Sequence, residues 1–348
     1  YDTAAESELF PVTWVGTETR GDDDRPEWVG VYGDGREPQY RAYWLMRWLG
    51  GIGGEKCGGG WHDTMHTSPL FFVEQGRQTV LGGAKEVLLC SYESLYPRPA
   101  SGRSGRRRRR RGPLLMAALA EELDQHYDLA GLIAGKEPRG LSGWKPANSA
   151  SGADWNLHSL LGMAGFPVTA DHEFNPDAMG YVLGYHVFHE PTWPDAVSAA
   201  IDSGKPVVVT PTFAKTARTY VRGIGMSPGE WAERYTVLPE LDGPIVCPQL
   251  EEMPREELDA LRARALEGTG ISFSAPHGVS LQLFGDDVAV IENFRNEEAA
   301  CSLSLEGWPG CEPALVIPAG QGAEVANGAA AEIRLPARSL IALTRSGS

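Results

Sequence analysis

The sequence predicts a multidomain α/β protein in three consecutive parts: a strand-helix-strand unit of parallel-barrel type, an open doubly wound sheet, and a small all-β sandwich. Three observations predict it. A glycine-rich entry, Gly58-Gly59-Gly60, leads through Trp61-His62-Asp63 into a helix-length segment over 70–82 and a short apolar run over 87–90 that closes on Tyr92. From residue 114 strand and helix patterns alternate, as in an α/β sheet. Beyond Gly268 the chain breaks into short alternating strands separated by turn residues.

In the first part, residues 10–15, Phe-Pro-Val-Thr-Trp-Val, are β-branched and aromatic without helical period, and predict a buried strand. Glu18 follows it, where barrel enzymes place an acid, base or nucleophile. A rim ion pair with Arg20 or Arg41 is the competing reading. Asp22, Asp23 and Asp24 read as a solvated loop, because three adjacent aspartates cannot all face one ion.

Tyr40, Tyr43, Trp44, Arg47 and Trp48 recur at helical spacing, so 39–49 is an aromatic helix. Aromatic faces stack on sugar rings and also build cores. For this helix the core is the expectation, and Trp61, beside glycines at a strand end, is the better sugar-stacking candidate. His62 and His66 flank Asp63 in a pattern that invites a metal, but the glycines before and Thr67-Ser68-Pro69 after oppose a helix presenting both on one face. No metal or other cofactor is therefore expected; His62 is assigned to substrate hydroxyls or to a satisfied loop. The helix over 70–82 mixes Leu70, Phe71, Val73, Val80 and Leu81 with Glu74, Gln75, Arg77 and Gln78, the mixture expected in a barrel's outer layer, and Gly82-Gly83 end it. Ser91 and Tyr92 occupy the next strand end.

Composition narrows the function classes. The 348 residues carry 46 acidic against 31 basic side chains, a net charge of -15, which argues against nucleic acid as a partner. No apolar run approaches the length of about 20 residues that spans a bilayer, so no membrane segment is expected. Tyr1 in place of methionine suggests a processed or incomplete amino terminus. Five scattered cysteines with no Cys-x-x-Cys pair read as reduced thiols, Cys301 and Cys311 included.

Residues 96–113, with Pro97, Pro99 and the arginine run 106–111, predict a linker or exposed insertion. Helices are expected over 114–132, 154–164 and 193–203, and strands over 139–144, 181–188 and 206–210. This doubly wound, flavodoxin-like sheet could host a nucleophile at a strand-to-helix elbow, as class I glutamine amidotransferases do with cysteine. Thr210-Pro211-Thr212-Phe213 offers no cysteine there, and no Gly-x-Ser-x-Gly or phosphate loop occurs, so the domain is expected to be non-catalytic. His172, His186 and His189 are expected to be satisfied. A charged helix over 251–267 precedes the sandwich, whose strands are expected over 279–283, 288–291, 301–305, 315–317, 332–335 and 339–344.

This order of parts resembles glycoside hydrolase family 42 β-galactosidases and their relatives. Residues 73–92, Val-Glu-Gln-Gly-Arg-Gln-Thr-Val-Leu-Gly-Gly-Ala-Lys-Glu-Val-Leu-Leu-Cys-Ser-Tyr, are similar to that family's last barrel helix and strand. Residues 288–294, Val-Ala-Val-Ile-Glu-Asn-Phe, and 335–340, Leu-Pro-Ala-Arg-Ser-Leu, are similar to glycosidase sandwich ends. The resemblance implies a partial (β/α)8 barrel over 1–95, an amidotransferase-like domain over 114–268 serving oligomer contacts, and a sandwich over 269–348. It also implies a carbohydrate substrate and retaining hydrolysis by two glutamates. Two departures follow. The family's acid/base glutamate, on the fourth barrel strand, is absent, and the nucleophile's slot falls on Asp63 or, if the strand at 10–15 is the seventh, on Glu18. Glu18 is preferred, with Asp63 its competitor or a substrate ligand and Trp61, His62 and Tyr92 lining the subsite. The competing class is a non-catalytic carbohydrate-binding or oligomerisation module.

Overall fold

Parallel pairing organises the amino-terminal part of the computed structural model. The structure describes residues 3–17, 19, 29–30, 33–34, 38–62, 64, 67–89, 103–149, 153–220, 227–240 and 248–347. After helix α1 (Thr3–Leu9), strand β1 (Thr13–Gly16) pairs in parallel with β4 (Cys57–His62), which pairs in parallel with β5 (Glu86–Leu89). Between β1 and β4 lie a two-residue ribbon, β2 (Val29–Gly30) with β3 (Gly33–Asp34), and helix α2 (Arg41–Gly53). The strand expected from residue 10 begins at Thr13, and Phe10 and Val12 are exposed. Pro11, without an N–H, cannot extend the ladder. β4 and β5 approach so closely that a Cβ at Gly59, φ +149°, would lie 1.9 Å from the Glu86 carbonyl oxygen. Only glycine fits there. β5 lies at one edge of this three-stranded sheet, and its Val87 and Leu88 are exposed.

Helix α3 (Pro69–Leu81) starts on Ser68, whose hydroxyl accepts the Phe71 N–H, with proline in its first turn. Its polar residues do not face solvent as an outer-layer helix would. Every residue from Phe71 to Leu81 is buried, because helix α4 (Arg103–Ile133) and the carboxyl-terminal strands cover the side turned away from the β-sheet. The expected linker over 96–113 is thus helical from Arg103 onward: the arginine run has good helix propensity, and the helix continues through Gly105, Gly112 and Pro113 despite their poor propensity.

At Gly140 the chain changes sheets. β6 (Pro138–Arg139) pairs antiparallel with the carboxyl-terminal region, whereas β7 (Leu141–Trp144) opens a parallel sheet, so the single strand expected over 139–144 is two. Gly140 has φ +152°, and a Cβ there would sit 2.2 Å from the Pro167 carbonyl oxygen. Helix α5 (Leu157–Met163), β8 (Val168–Asp171), β9 (Tyr181–Leu183), helix α6 (Trp193–Asp202), β10 (Val207–Val209), α7 (Pro211–Tyr220), α8 (Pro228–Arg234) and β11 (Thr236–Val237) complete this part. The spatial order β11-β10-β9-β7-β8 puts the topological switch point between β7 and β9.

After α9 (Pro248–Glu251) and α10 (Arg255–Ala265), two antiparallel sheets form. One runs β12 (Ile271–Ser274), β15 (Ala299–Leu305), β18 (Ala331–Leu335), β17 (Glu324–Ala326). The other runs β16 (Cys311–Ile317), β19 (Ser339–Arg345), β14 (Val288–Asn293), β13 (Val279–Phe284), β6. Their facing side chains, among them Phe273, Leu303, Ile333, Leu281, Ile291 and Ile341, share one core with Tyr40, Trp44 and Trp48 of the α2 region. Cys301 and Cys311 are free, buried thiols. No helix of the described residues is long and apolar enough to cross a membrane.

Candidate functional site

The alternation of β1 and β4 sorts their side chains onto two faces. Val15 packs with Met46 and Cys57, and a Cβ on its partner Gly60 would meet Thr79, Thr17 and Met46, so these positions face α2 and α3. Thr17 completes that face. Its N–H donates to the Trp61 carbonyl at 3.4 Å, and its hydroxyl oxygen accepts from Thr79 Oγ1 at 2.8 Å and from Gln75 Nε2 at 3.4 Å. Helix α3 thereby fixes the end of β1.

His62 belongs to the same face. Its ring meets Phe72 edge-on at 5.4 Å, and both it and His126 lie against Gly76, where a Cβ would meet the two imidazoles at 3.1 and 2.7 Å. Neither ring nitrogen has a hydrogen-bond partner among the described residues. Burial, with the neighbouring His126, lowers its pKa from 6.5 to about 3, so the ring is neutral. Trp61 has the opposite parity and turns away from the helices, half-exposed. The structure therefore sets adjacent Trp61 and His62 on opposite faces of one strand end. Glu18, Asp63 and Tyr92, with Asp22 to Asp24, Ser91 and His66, lie outside the described residues.

Behind this edge lies a buried ionic network that sequence reasoning missed. Arg77 donates to Glu122 at 2.8 and 2.7 Å, to Glu292 at 3.0 Å and to the Arg338 carbonyl at 3.3 Å. Gln78 donates to Glu292 at 2.6 Å and accepts from Gln282, while Arg338 donates to Glu74 at 3.2 and 3.3 Å. Burial pushes Glu74 up to about 8 and Glu292 up to about 7 against the pull of Arg338 and Arg77. The only sequence signal was the spacing of Glu74, Arg77 and Gln78, three and four apart on one helix face.

A second cluster gathers at the carboxyl ends of β7, β9 and β10. Lys145 donates to the Ser149 hydroxyl at 2.9 Å and lies 3.5 Å above the Trp48 ring; burial lowers its pKa to about 7. Asp154, at φ +55°, accepts from Thr210 Oγ1 at 2.7 Å and from the Tyr185 N–H at 2.8 Å. His158 stacks on Trp44 at 3.9 Å, and His186 stands 5.7 Å from His158 with neither ring nitrogen partnered among the described residues. His186 was expected to be satisfied; it is instead enclosed at 0% exposure and lowered to about 3 by burial, with Lys145 adding to the effect. The aromatic face of α2 fills the switch-point crevice, making it an internal interface. Among the described residues no three His, Cys, Asp or Glu side chains are placed to hold a metal.

Residues 1–112 match the family described as "Probable glycosyl hydrolase, catalytic domain". No curated protein matches the sequence. A β-galactosidase from Bacillus circulans sp. alkalophilus is similar in structure with TM-score 0.55 at 12% identity, over 99% of this chain and 62% of that one. Gan42B, a GH42 β-galactosidase from G. stearothermophilus, gives 0.53 at 9% identity over 99% and 60%. Alpha-L-fucosidase isoenzyme 2 from Paenibacillus thiaminolyticus gives 0.50 at 11% identity over 89% and 63%. The chain thus spans less than two thirds of the length of these glycosidases and shares its mixed α/β fold with part of each, while its first 112 residues resemble a glycosyl hydrolase catalytic domain.

Proposed function

We propose that this chain corresponds to the carboxyl-terminal portion of a glycoside hydrolase acting on β-linked sugars, with residues 1–95 forming the end of a (β/α)8 barrel, 114–268 an amidotransferase-like association domain, and 269–348 a β-sandwich. The observation that carries the reading is the parallel β1–β4 pair inside the region that matches a glycosyl hydrolase catalytic domain. Helices cover one side of that pair, and Trp61 is turned to the other at the carboxyl end, where barrel enzymes hold substrate.

Glu18 is the preferred catalytic carboxylate, following Thr17 in sequence, and Asp63, following His62, is its competitor or a ligand to sugar hydroxyls. Trp61 offers an apolar face to a pyranose, and Tyr92 a hydroxyl at the next strand end. The burial of His62 against α3 supports a role in holding the strand end over the contact with sugar hydroxyls first expected of it. Retaining hydrolysis needs a second carboxylate about 5 Å from the first, to protonate the leaving oxygen and later deprotonate water. A polypeptide supplying further barrel strands would contribute it.

The test is hydrolysis of a panel of nitrophenyl β-glycosides by the full-length gene product, with and without Glu18→Ala. Loss of turnover with an unchanged unfolding midpoint is expected. Retained activity in Glu18→Ala, with loss in Asp63→Asn, would transfer the role to Asp63. Sugar binding without hydrolysis of any substrate would favour a non-catalytic carbohydrate-binding module.

A further inference from the structure

The two antiparallel sheets leave an opening at one end, bounded by β6, the turn before β12, the β13–β14 turn and the β15–β16 turn. It encloses a pocket of about 200 Å³, well away in sequence from β1 and β4. Trp308 forms one wall. Its indole N–H donates to the Asp286 carbonyl at 2.9 Å, which fixes the ring at the pocket. Arg139 pairs with the Asp286 carboxylate at 2.5 Å and so presents a donor and an acceptor side by side. Glu306 folds over Gly270, whose φ is +75° and where a Cβ would come within 2.7 Å of the carboxylate; its side chain has no partner among the described residues. Thr269 completes the rim.

We propose that this pocket binds the terminal ring of a neutral saccharide, at a site separate from the hydrolytic edge. Four properties select that class. An anchored indole gives an apolar wall for the C–H face of a pyranose. Arg139, Asp286 and Glu306 supply donors and acceptors converging on hydroxyl groups, the arrangement by which a few placed polar groups fix a ligand's orientation. Two carboxylates against one guanidinium disfavour phosphate and acidic sugars, and the Arg139 ion pair leaves Glu306 as the one uncommitted carboxylate, too few for a hard cation, which takes six or more oxygens. The volume lies below that of drug-sized pockets and suits one ring.

Calorimetric titration of the chain with methyl β-galactopyranoside, methyl β-glucopyranoside and inorganic phosphate tests the proposal. Saturable binding of at least one glycoside and none of phosphate is expected. Glu306→Gln, at an exposed position that leaves the fold unchanged, and Trp308→Ala should each weaken that binding by about ten-fold or more, equivalent to about 1.4 kcal/mol. Trp61→Ala should leave it intact. Absence of saturable binding at millimolar glycoside, binding unaffected by Glu306→Gln and Trp308→Ala, or binding lost only in Trp61→Ala would overturn the proposal. Hydrolysis of nitrophenyl glycosides by the full-length gene product carrying Trp308→Ala reports separately on the hydrolytic edge.

Discussion

Replacing Arg77 by methionine keeps most of the side chain's length and removes a guanidinium that is 1% exposed and serves three elements at once. Glu122 on α4 loses both of its short bonds, at 2.7 and 2.8 Å, and among the described residues retains His126 at 3.5 Å. Glu292 on β14 loses its 3.0 Å bond and retains Gln78. Breaking a buried ion pair from one side typically costs about 3–5 kcal/mol, because a charge stays behind without its partner. With total stabilities of about 5–15 kcal/mol, that loss would bring the chain close to unfolding. Urea denaturation followed by tryptophan fluorescence measures it. Two signatures separate this mechanism from a simple packing defect. Adding Glu292→Gln to Arg77→Met should recover part of the loss, since the stranded charge is gone. The cost should also grow with pH, because Glu292, already raised to about 7 in the intact network, rises further without its cation and must ionise unpaired as pH climbs. A loss below about 1 kcal/mol, or no recovery in the double variant, would refute the assignment of Arg77 as the lock between α3, α4 and the sandwich.

Further outcomes follow from other contacts. His62 and His186, lowered from 6.5 to about 3, and His277, lowered to about 4, are all kept neutral by burial, so their contribution to stability is full above about 6.5 and lost as pH falls toward those values. Glu292 and Glu74, raised from 4.5 to about 7 and about 8, act in the opposite sense: their contribution is full below about 4.5 and lost as pH rises through those values. The summed contribution of these five groups should therefore peak at about pH 6–7, while Lys145, lowered from 10.5 to about 7, adds stability as pH rises above that value; a monotonic rise of the denaturation midpoint from acid to alkaline pH would contradict the burial of the glutamates. Gly162→Ala on α5 would drive a Cβ to within 2.2–2.3 Å of the Tyr40 ring carbons. Overpacking of this kind costs about 1–3 kcal/mol, measurable by the same denaturation, and a neutral variant would show that Tyr40 can retreat. On the proposed hydrolytic reading, Trp61→Ala in the full-length gene product should raise KM for nitrophenyl glycosides by about ten-fold with unfolding unchanged, as loss of one stacking face predicts; an unchanged KM would remove Trp61 from the subsite.

What the sequence made legible was local. The aromatic period of α2, the Val207–Val209 strand and six of the sandwich strands lie within a few residues of their expected places, because each carries its own periodicity or turn chemistry, whereas β12 and β17 were not foreseen. What it hid was set by distant partners. Glu74, Arg77 and Gln78 read as the polar part of an outer-layer barrel helix until Glu122, Glu292 and Arg338, far away in the chain, are brought against them. The same holds for β8, whose four residues carry little pattern alone, and for β6, which is separated from β7 by one glycine and joins another sheet. His62 shows the limit most sharply. Its place at a strand end was readable, but which face it takes depends on the parity of β4, and that is fixed by pairing with β1 and β5.

The three sequence stretches that carry the resemblance to family 42 glycosidases meet in one place. Residues 73–92 contribute Glu74, Arg77 and Gln78, residues 288–294 contribute Glu292, and residues 335–340 contribute Arg338; all five belong to the buried network joining α3 to the sandwich. Apart from Tyr92, the candidate subsite residues lie outside these stretches, and the five network residues within them hold the amino-terminal sheet against the sandwich. It follows that loss of activity in a variant of this network says nothing about chemistry unless folding is measured beside it. The hydrolytic reading has to be tested at Glu18 and Asp63, where turnover should fail while the denaturation midpoint holds. Arg77→Met supplies the opposite pattern, with stability and activity falling together.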